Sequence, residues 1–339
     1  MEKKNYPEIT YLRGMAILMV LLYHSIIVYP IDLRADAIWG GIAESMWYVQ
    51  MPLFFLVSGF CFREDGHYGR YVWKKCRRIL IPHVMFGMID LAFRVLPAYI
   101  PALSGLVNQQ TGLGEGIVDF LLYGGEDPFL RSLFMILVVF PWLHRCMERF
   151  WWSRIGIYGA AVAMYLFWED LPSLMALSYS GRFLIFFCIG YELRRHHWER
   201  IKEKAVSPWF AALSLACCVL ASYCYCNYGY GKYITVIIAL TGAWFLLNTV
   251  SILKSFWAGF AQLAGSYSLP LYLMDGYALV VTRTVFVSRL GVTQPLLIVL
   301  LNFVVDTAVL LVVTHWIIAR VRPLCFLFGL PYRKRVRDK

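Results

Sequence analysis

The chain has 339 residues, 60% of them hydrophobic and only 16% charged, with a mean hydropathy of +0.60. That balance excludes an ordinary water-soluble globule and points to a polytopic membrane protein whose first partner is the lipid bilayer. The formal net charge of +11 does not make nucleic acid an expected partner, because in a membrane protein the position of each basic residue relative to the spans decides its role.

In chain order, apolar runs predict membrane-crossing helices at 9–29, 42–62, 79–100, 129–147, 155–168, 179–193, 208–226, 233–250, 263–283 and 294–319. The expected fold is all-α, with about ten transmembrane helices. The fifth and sixth runs are short for a hydrocarbon core of about 30 Å. Of the 32 Lys and Arg residues, 24 lie on the N-terminal side of this arrangement, in groups that include Lys3–Lys4, Arg63 to Arg78, Arg194 to Lys204 and Arg320 to Lys339. Only Arg34, Lys232 and Arg289 lie opposite, and Arg13, Arg94, Arg131, Arg182 and Arg283 fall within spans. Both termini are therefore expected in the cytoplasm, as an even span count requires, with the protein in the cell membrane.

The first span is too long for a signal-peptide core, contains Arg13 and His24, and leads into Tyr29-Pro30 with no small-residue cleavage site. One transmembrane domain over 1–339 is expected, with no soluble extracytoplasmic domain. The longest stretch between spans, Pro101 to Pro128, is acidic and rich in glycine. It reads equally as a lid over an external vestibule and as a plain connector.

Two ionisable residues stand out in the first span. Each costs at least ~2.5 kcal/mol at mid-membrane, so each is a functional candidate. Eleven residues at 100° per residue return His24 to within roughly 20° of Arg13, about 16 Å further along the helix. The alternative for His24 is a packing histidine with its hydrogen bonds satisfied. The second span ends in Met51-Pro-Leu-Phe-Phe-Leu-Val-Ser-Gly-Phe60, placing Ser58, Gly59 and Phe60 in its inner half. There glycine permits close approach of a helix or ligand, a small-residue packing patch being the simpler reading. Next comes Lys74-Lys-Cys-Arg-Arg-Ile-Leu-Ile-Pro82, a basic cluster at the mouth of the third span that contains Arg77 and Arg78. Asp90 and Arg94, four apart, are expected to neutralise each other. Arg131, Arg182, Glu192, Asp275, Arg283 and Asp306 are intramembrane charges whose partners the sequence leaves open.

The nine cysteines include no Cys-x-x-Cys and have no histidine at ligand spacing, so no metal is expected. A glycine-rich phosphate loop, a zinc-protease motif, a Gly-x-Ser-x-Gly elbow and a transporter-type internal repeat are all missing.

Arg13 with ten residues before His24, the Pro-Leu-Phe-Phe-Leu-Val-Ser-Gly-Phe run at 52–60 and the Arg-Arg-Ile-Leu-Ile-Pro run at 77–82 together resemble membrane acyltransferase family 3. These are the integral-membrane O-acetyltransferases of bacterial surface glycans, lipopolysaccharide, nodulation factors and some antibiotics. Ser180-Gly-Arg-Phe-Leu-Ile-Phe-Phe-Cys-Ile-Gly-Tyr-Glu192 and Gly265-Ser-Tyr-Ser-Leu-Pro-Leu-Tyr-Leu273 look like the family's later helices. The resemblance implies acetyl-CoA as a cytoplasmic donor, no tightly bound cofactor, and a glycan or glycolipid hydroxyl as acceptor. It implies His24 as the catalytic residue, supported by Arg13, and Arg77, Arg78, Ser58, Gly59 and Phe60 as donor-binding candidates. Cations at the entrance suit the donor's phosphates, and a buried neutral imidazole suits proton abstraction from a hydroxyl.

The chain departs from the pattern at Asp275, where many members carry histidine, and at Arg322-Pro323, where an acidic residue before proline is common. Asp275 is expected to accept a hydrogen bond from a tyrosine, an arginine or His24, and to tune the site without replacing its base. The rival expectation is a transporter or flippase for a glycolipid or small polar solute, which would neither bind coenzyme A nor release thiol from acetyl-CoA.

Overall fold

The computed structural model describes residues 6–27, 32–64, 66–96, 99–100, 111–123, 125, 128–199, 201, 206–228, 231–252 and 256–331, and among them there is no strand. The principal helices are α1 (Pro7–Ile27), α2 (Ala37–Phe60), α3 (Tyr68–Lys75), α4 (Ile81–Val95), α5 (Leu113–Val118), α6 (Pro128–Arg149), α7 (Trp151–Leu166), α8 (Leu177–Glu192), α9 (Pro208–Tyr228), α10 (Lys232–Ile252), α11 (Phe256–Ser266), α12 (Ser268–Thr284), α13 (Pro295–Trp316) and α14 (Arg322–Leu327). Six helical stretches are long and apolar enough to cross a membrane, among them Pro7–Ile27, Leu174–Arg195, Pro208–Tyr228, Lys232–Thr249 and Pro295–Arg320.

Where they are described, the predicted runs fall mainly on helix, but six stretches, not ten, have the length and hydropathy of a span, and two runs differ further in substance. The run at 79–100 ends as α-helix at Val95, two residues before Pro97, which has no N–H to carry the ladder on. The run at 263–283 is divided. Tyr267 leaves the helical conformation (φ −108°, ψ 15°) between α11 and α12. The cause is Pro270, which lacks the N–H that a continuous helix would donate to Ser266 and whose ring would meet that carbonyl. Of the stretch from Pro101 to Pro128, read equally as a lid and as a connector, residues 101–110, 124 and 126–127 lie outside the described residues, as do Lys3, Lys4, Arg200, Lys202, Lys204, Lys254 and the basic tail from Arg333. The described part of that stretch is helical, α5 running into a π-helical turn at Asp119–Tyr123.

The chain divides into two compact units, each discontinuous in sequence: 1–61 with 189–317, and 62–188 with 318–339. In the first, α1 is the central element and packs against α2, α10, α11, α12 and α13. One side of α1 meets α2 and α10 through Ile9, Leu12, Ala16, Val49, Leu53 and Ile238. Its other side meets α11, α12 and α13 through Ile17, Leu21, Ala264, Leu271 and Leu310. Asp36 starts α2 by accepting the free N–H groups of Ile38 and Trp39, each at 2.9 Å, the usual task of an N-cap carboxylate.

The α1–α11 contact is close enough for backbone to touch backbone. A Cβ on Gly14 would run into the Ala261 carbonyl oxygen, and one on Gly265 into the Thr10 carbonyl oxygen. Such pairs of small residues let helices gain van der Waals contact in lipid, where burial from water supplies no driving force.

In the second unit, Phe62, Phe140 and Phe187 form an edge-to-face cluster with centroids 4.6–6.3 Å apart. Arg131, 9% exposed, is satisfied by the carbonyl oxygens of Phe120 and Leu121 at 2.6 and 2.8 Å. Asp90 and Arg94 pair as their spacing suggested, at 3.2 Å.

Replacing Gly265 with leucine is expected to push α11 off α1 and destabilise the protein by about 1–3 kcal/mol or more. Gly259→Ala, on the same helix with open space where the Cβ would stand, should be neutral or mildly stabilising. Thermal midpoints in detergent check the contrast.

Candidate active site

His24 stands near the end of α1, and its Nδ1 is hydrogen-bonded to the Asp275 carboxylate on α12, 251 positions away in sequence. Asp275 is 0% exposed and His24 25% exposed. In the neutral imidazole, a hydrogen on Nδ1 donated to this carboxylate leaves the lone pair on Nε2. No hydrogen bond from a described residue occupies Nε2. The Tyr23 ring lies beside the imidazole, centroids 5.3 Å apart, and packs in turn on Trp47 at 5.6 Å. Of the three partners expected for Asp275, the structure selects His24.

A third group completes the cluster. Asp306 on α13 lies beside Asp275, close enough for the two carboxyl groups to feel each other's charge. The sequence presented Asp306 only as one unassigned intramembrane charge. The signal that it belongs here is its helical face: Asn302, Asp306, Leu310 and Thr314 recur at four-residue spacing, and all are buried.

Arg13 lies about 16 Å back along α1 from His24. It is half-buried, and its one described contact is Nη2 to the Cys61 Sγ at 3.7 Å. At the same end of the unit, Gly59 and Phe60 are buried and Ser58 is half-buried. The Phe60 ring packs edge-on against Tyr6 at 5.2 Å and Trp198 at 4.8 Å, while its carbonyl accepts from Arg194 Nη1 at 3.0 Å. The first unit therefore holds His24 with Asp275 in one region and Arg13 with Ser58, Gly59 and Phe60 in another. Arg77 and Arg78 belong to the second unit, where both are exposed on a π-helical turn, Cys76–Leu80, between α3 and α4. Such turns occur often at functional sites.

An imidazole held by a buried carboxylate inside a bundle of apolar helices is an arrangement able to take up and return a proton. A family model described as an acyltransferase domain matches residues 6–318, nearly the whole chain, so the protein belongs to acyltransferase family 3. No curated protein and no solved structure matches it.

Asp275→Asn removes the anion while keeping the shape. If Asp275 orients His24, the asparagine variant should remain folded and lose a substantial part of its acyl transfer, by less than His24→Ala loses. Near wild-type transfer by purified Asp275→Asn would reduce the residue to a space-filling role.

Proposed function

We propose that this acyltransferase moves an acetyl group from acetyl-CoA to a hydroxyl of a surface glycan, glycolipid or related acceptor. Its setting is the cell membrane, crossed about ten times, with both chain ends cytoplasmic. The observation that carries the reading is the His24 imidazole, with Nδ1 held by Asp275 and Nε2 open. This is the arrangement a general base requires.

In the reaction, His24 Nε2 takes the proton of the acceptor hydroxyl as its oxygen attacks the thioester carbonyl. Asp275 stabilises the imidazolium that forms and keeps the ring in place, as the buried carboxylate does in serine hydrolases. Collapse of the tetrahedral intermediate breaks the C–S bond. The coenzyme A thiolate leaves, recovers the proton from the imidazolium, and an O-acetyl ester remains. A membrane interior that excludes water favours transfer over hydrolysis of the thioester.

Arg77 and Arg78 are assigned to the phosphates of coenzyme A, and Arg13 to a supporting role at its own end of α1. Guanidinium–phosphate hydrogen bonds are charge-assisted and short, which suits a donor that cannot itself enter hydrocarbon.

Two measurements on purified protein in nanodiscs separate these roles. His24→Ala should still bind coenzyme A while transfer to acceptor falls by about 10²- to 10⁴-fold. Wild-type transfer by that variant would overturn the mechanism. Charge reversal of Arg77 and Arg78 together should instead weaken acetyl-CoA binding, each lost contact being worth about 1.5–3 kcal/mol. Unchanged donor affinity would place the phosphates elsewhere.

A further inference from the structure

Arg283, the penultimate residue of α12, is 0% exposed and is the bulkiest of the fully buried side chains. Its Nε, Nη1 and Nη2 have no hydrogen-bond partner among the described residues. The other buried arginines differ: Arg131 is capped by two carbonyl oxygens and Arg94 pairs with Asp90. The acidic group that senses the Arg283 charge is Asp32, in the connection after α1. Burial opposes ionisation of Asp32, but hydrogen bonds from Arg34 and the charges of Arg34 and Arg283 hold its carboxyl below the ordinary range. Asp32 is already engaged. Arg34 grips it through its backbone N–H at 2.9 Å, its Nε at 2.7 Å and its Nη2.

Nor do the buried acids further down α12 and α13 supply a counter-charge. Asp275 is engaged by His24 and stands eight residues, about 12 Å along α12, from Arg283, with Asp306 at its level. These helices run antiparallel, since Leu271 and Leu310 share one buried cluster while Asp275 lies beside Asp306. Asn302 therefore lies toward the same end as Arg283. It too is 0% exposed, with both side-chain polar atoms unpartnered among the described residues. A guanidinium in a low-dielectric interior costs several kcal/mol unless an anion answers it. At this position no acid among the described residues is free to answer it.

We propose that Arg283, assisted by the Asn302 amide, binds an oxyanion, phosphate or carboxylate, carried by the acceptor. This rests on the acyltransferase reading above and narrows it: the acceptor is an anionic hydroxyl compound. Its charged group is seated at the end of α1 remote from Arg13, about 12 Å along α12 from the Asp275 level where the hydroxyl is deprotonated. A π-helical turn, Val285–Arg289, follows Arg283 within two residues, and such turns are frequent at functional sites.

The test uses the full-length protein in phosphatidylcholine nanodiscs, with thermal unfolding as the readout and glycerol 1-phosphate, glucuronate or inorganic phosphate as probes. A second set of nanodiscs contains phosphatidylglycerol, so that a lipid headgroup is distinguished from a free anion. The wild type should be stabilised by at least one organic probe or by the anionic lipid. Arg283→Gln and Asn302→Leu should weaken that response by about tenfold or more, with Arg283→Lys retaining part of it. Arg283→Met should also unfold at a higher temperature than wild type in anion-free buffer, because it removes an unanswered buried charge. A structural pairing predicts the reverse. An anion response unchanged in Arg283→Gln, a response to inorganic phosphate alone, or a lower midpoint for Arg283→Met without anion would each overturn the proposal. His24→Ala should keep the full anion response while losing transfer. If it keeps both, the catalytic reading fails and the anion site stands.

Discussion

The contact between His24 and Asp275 constrains the rest of the first unit. A carboxylate with no exposure, set between apolar helices, is tolerated only with a hydrogen-bonded partner, and here the partner is an imidazole on a helix at the far end of the sequence. That bond fixes the rotation of α12 about its axis relative to α1. It also fixes which nitrogen of His24 is available for chemistry, so one interaction serves both packing and reactivity.

The geometry on which this bond depends is prepared by small residues and a proline. Gly14 and Gly265 bring α11 against α1 at backbone distance, and the break at Tyr267, enforced by Pro270, frees α12 to start with its own direction. A single straight helix over 263–283 would have carried Asp275 onward along the axis of α11. The motif Gly265-Ser-Tyr-Ser-Leu-Pro270 is thus a packing site and a hinge placed just before the residue that holds the histidine.

Electrostatics distinguishes the ends of this unit. Around Arg13 the neighbours are a thiol and an aromatic cluster, with the Arg194 guanidinium bound to a carbonyl. Around Arg283 the acid that senses its charge among the described residues, Asp32, is bound by another arginine. The Arg283 guanidinium has no hydrogen-bond partner among the described residues, and the acid–base pair lies between it and Arg13 along α1. An enzyme joining a polyanionic donor to an acceptor approaching from the other face has use for such a distribution, because each cation is stabilised when its own substrate arrives.

Much of this was legible locally. Helices follow from apolar runs because backbone hydrogen bonds must be satisfied within each segment in lipid, so the predicted stretches fall on helices and the interruption at Pro270 has a covalent cause visible in the sequence. The shared face of Arg13 and His24 is likewise a matter of helical periodicity. The identity of the histidine's partner was not legible. Asp306, Arg283, Arg131 and Glu192 were equivalent as isolated intramembrane charges, and Asp275 stood apart only with three possible partners, because one sequence carries no information about which helix faces which. Only the tertiary packing separated them: Asp275 and Asp306 came to His24, Arg131 to backbone carbonyls, and Arg283 to no group in the described chain. Composition and periodicity determined that this chain would be a bundle of apolar helices with a cation and an imidazole on one face. The long-range contacts decided which buried charges are paired within the protein and which await a ligand, since the cost of burying a charge depends on what lies across the helix interface from it.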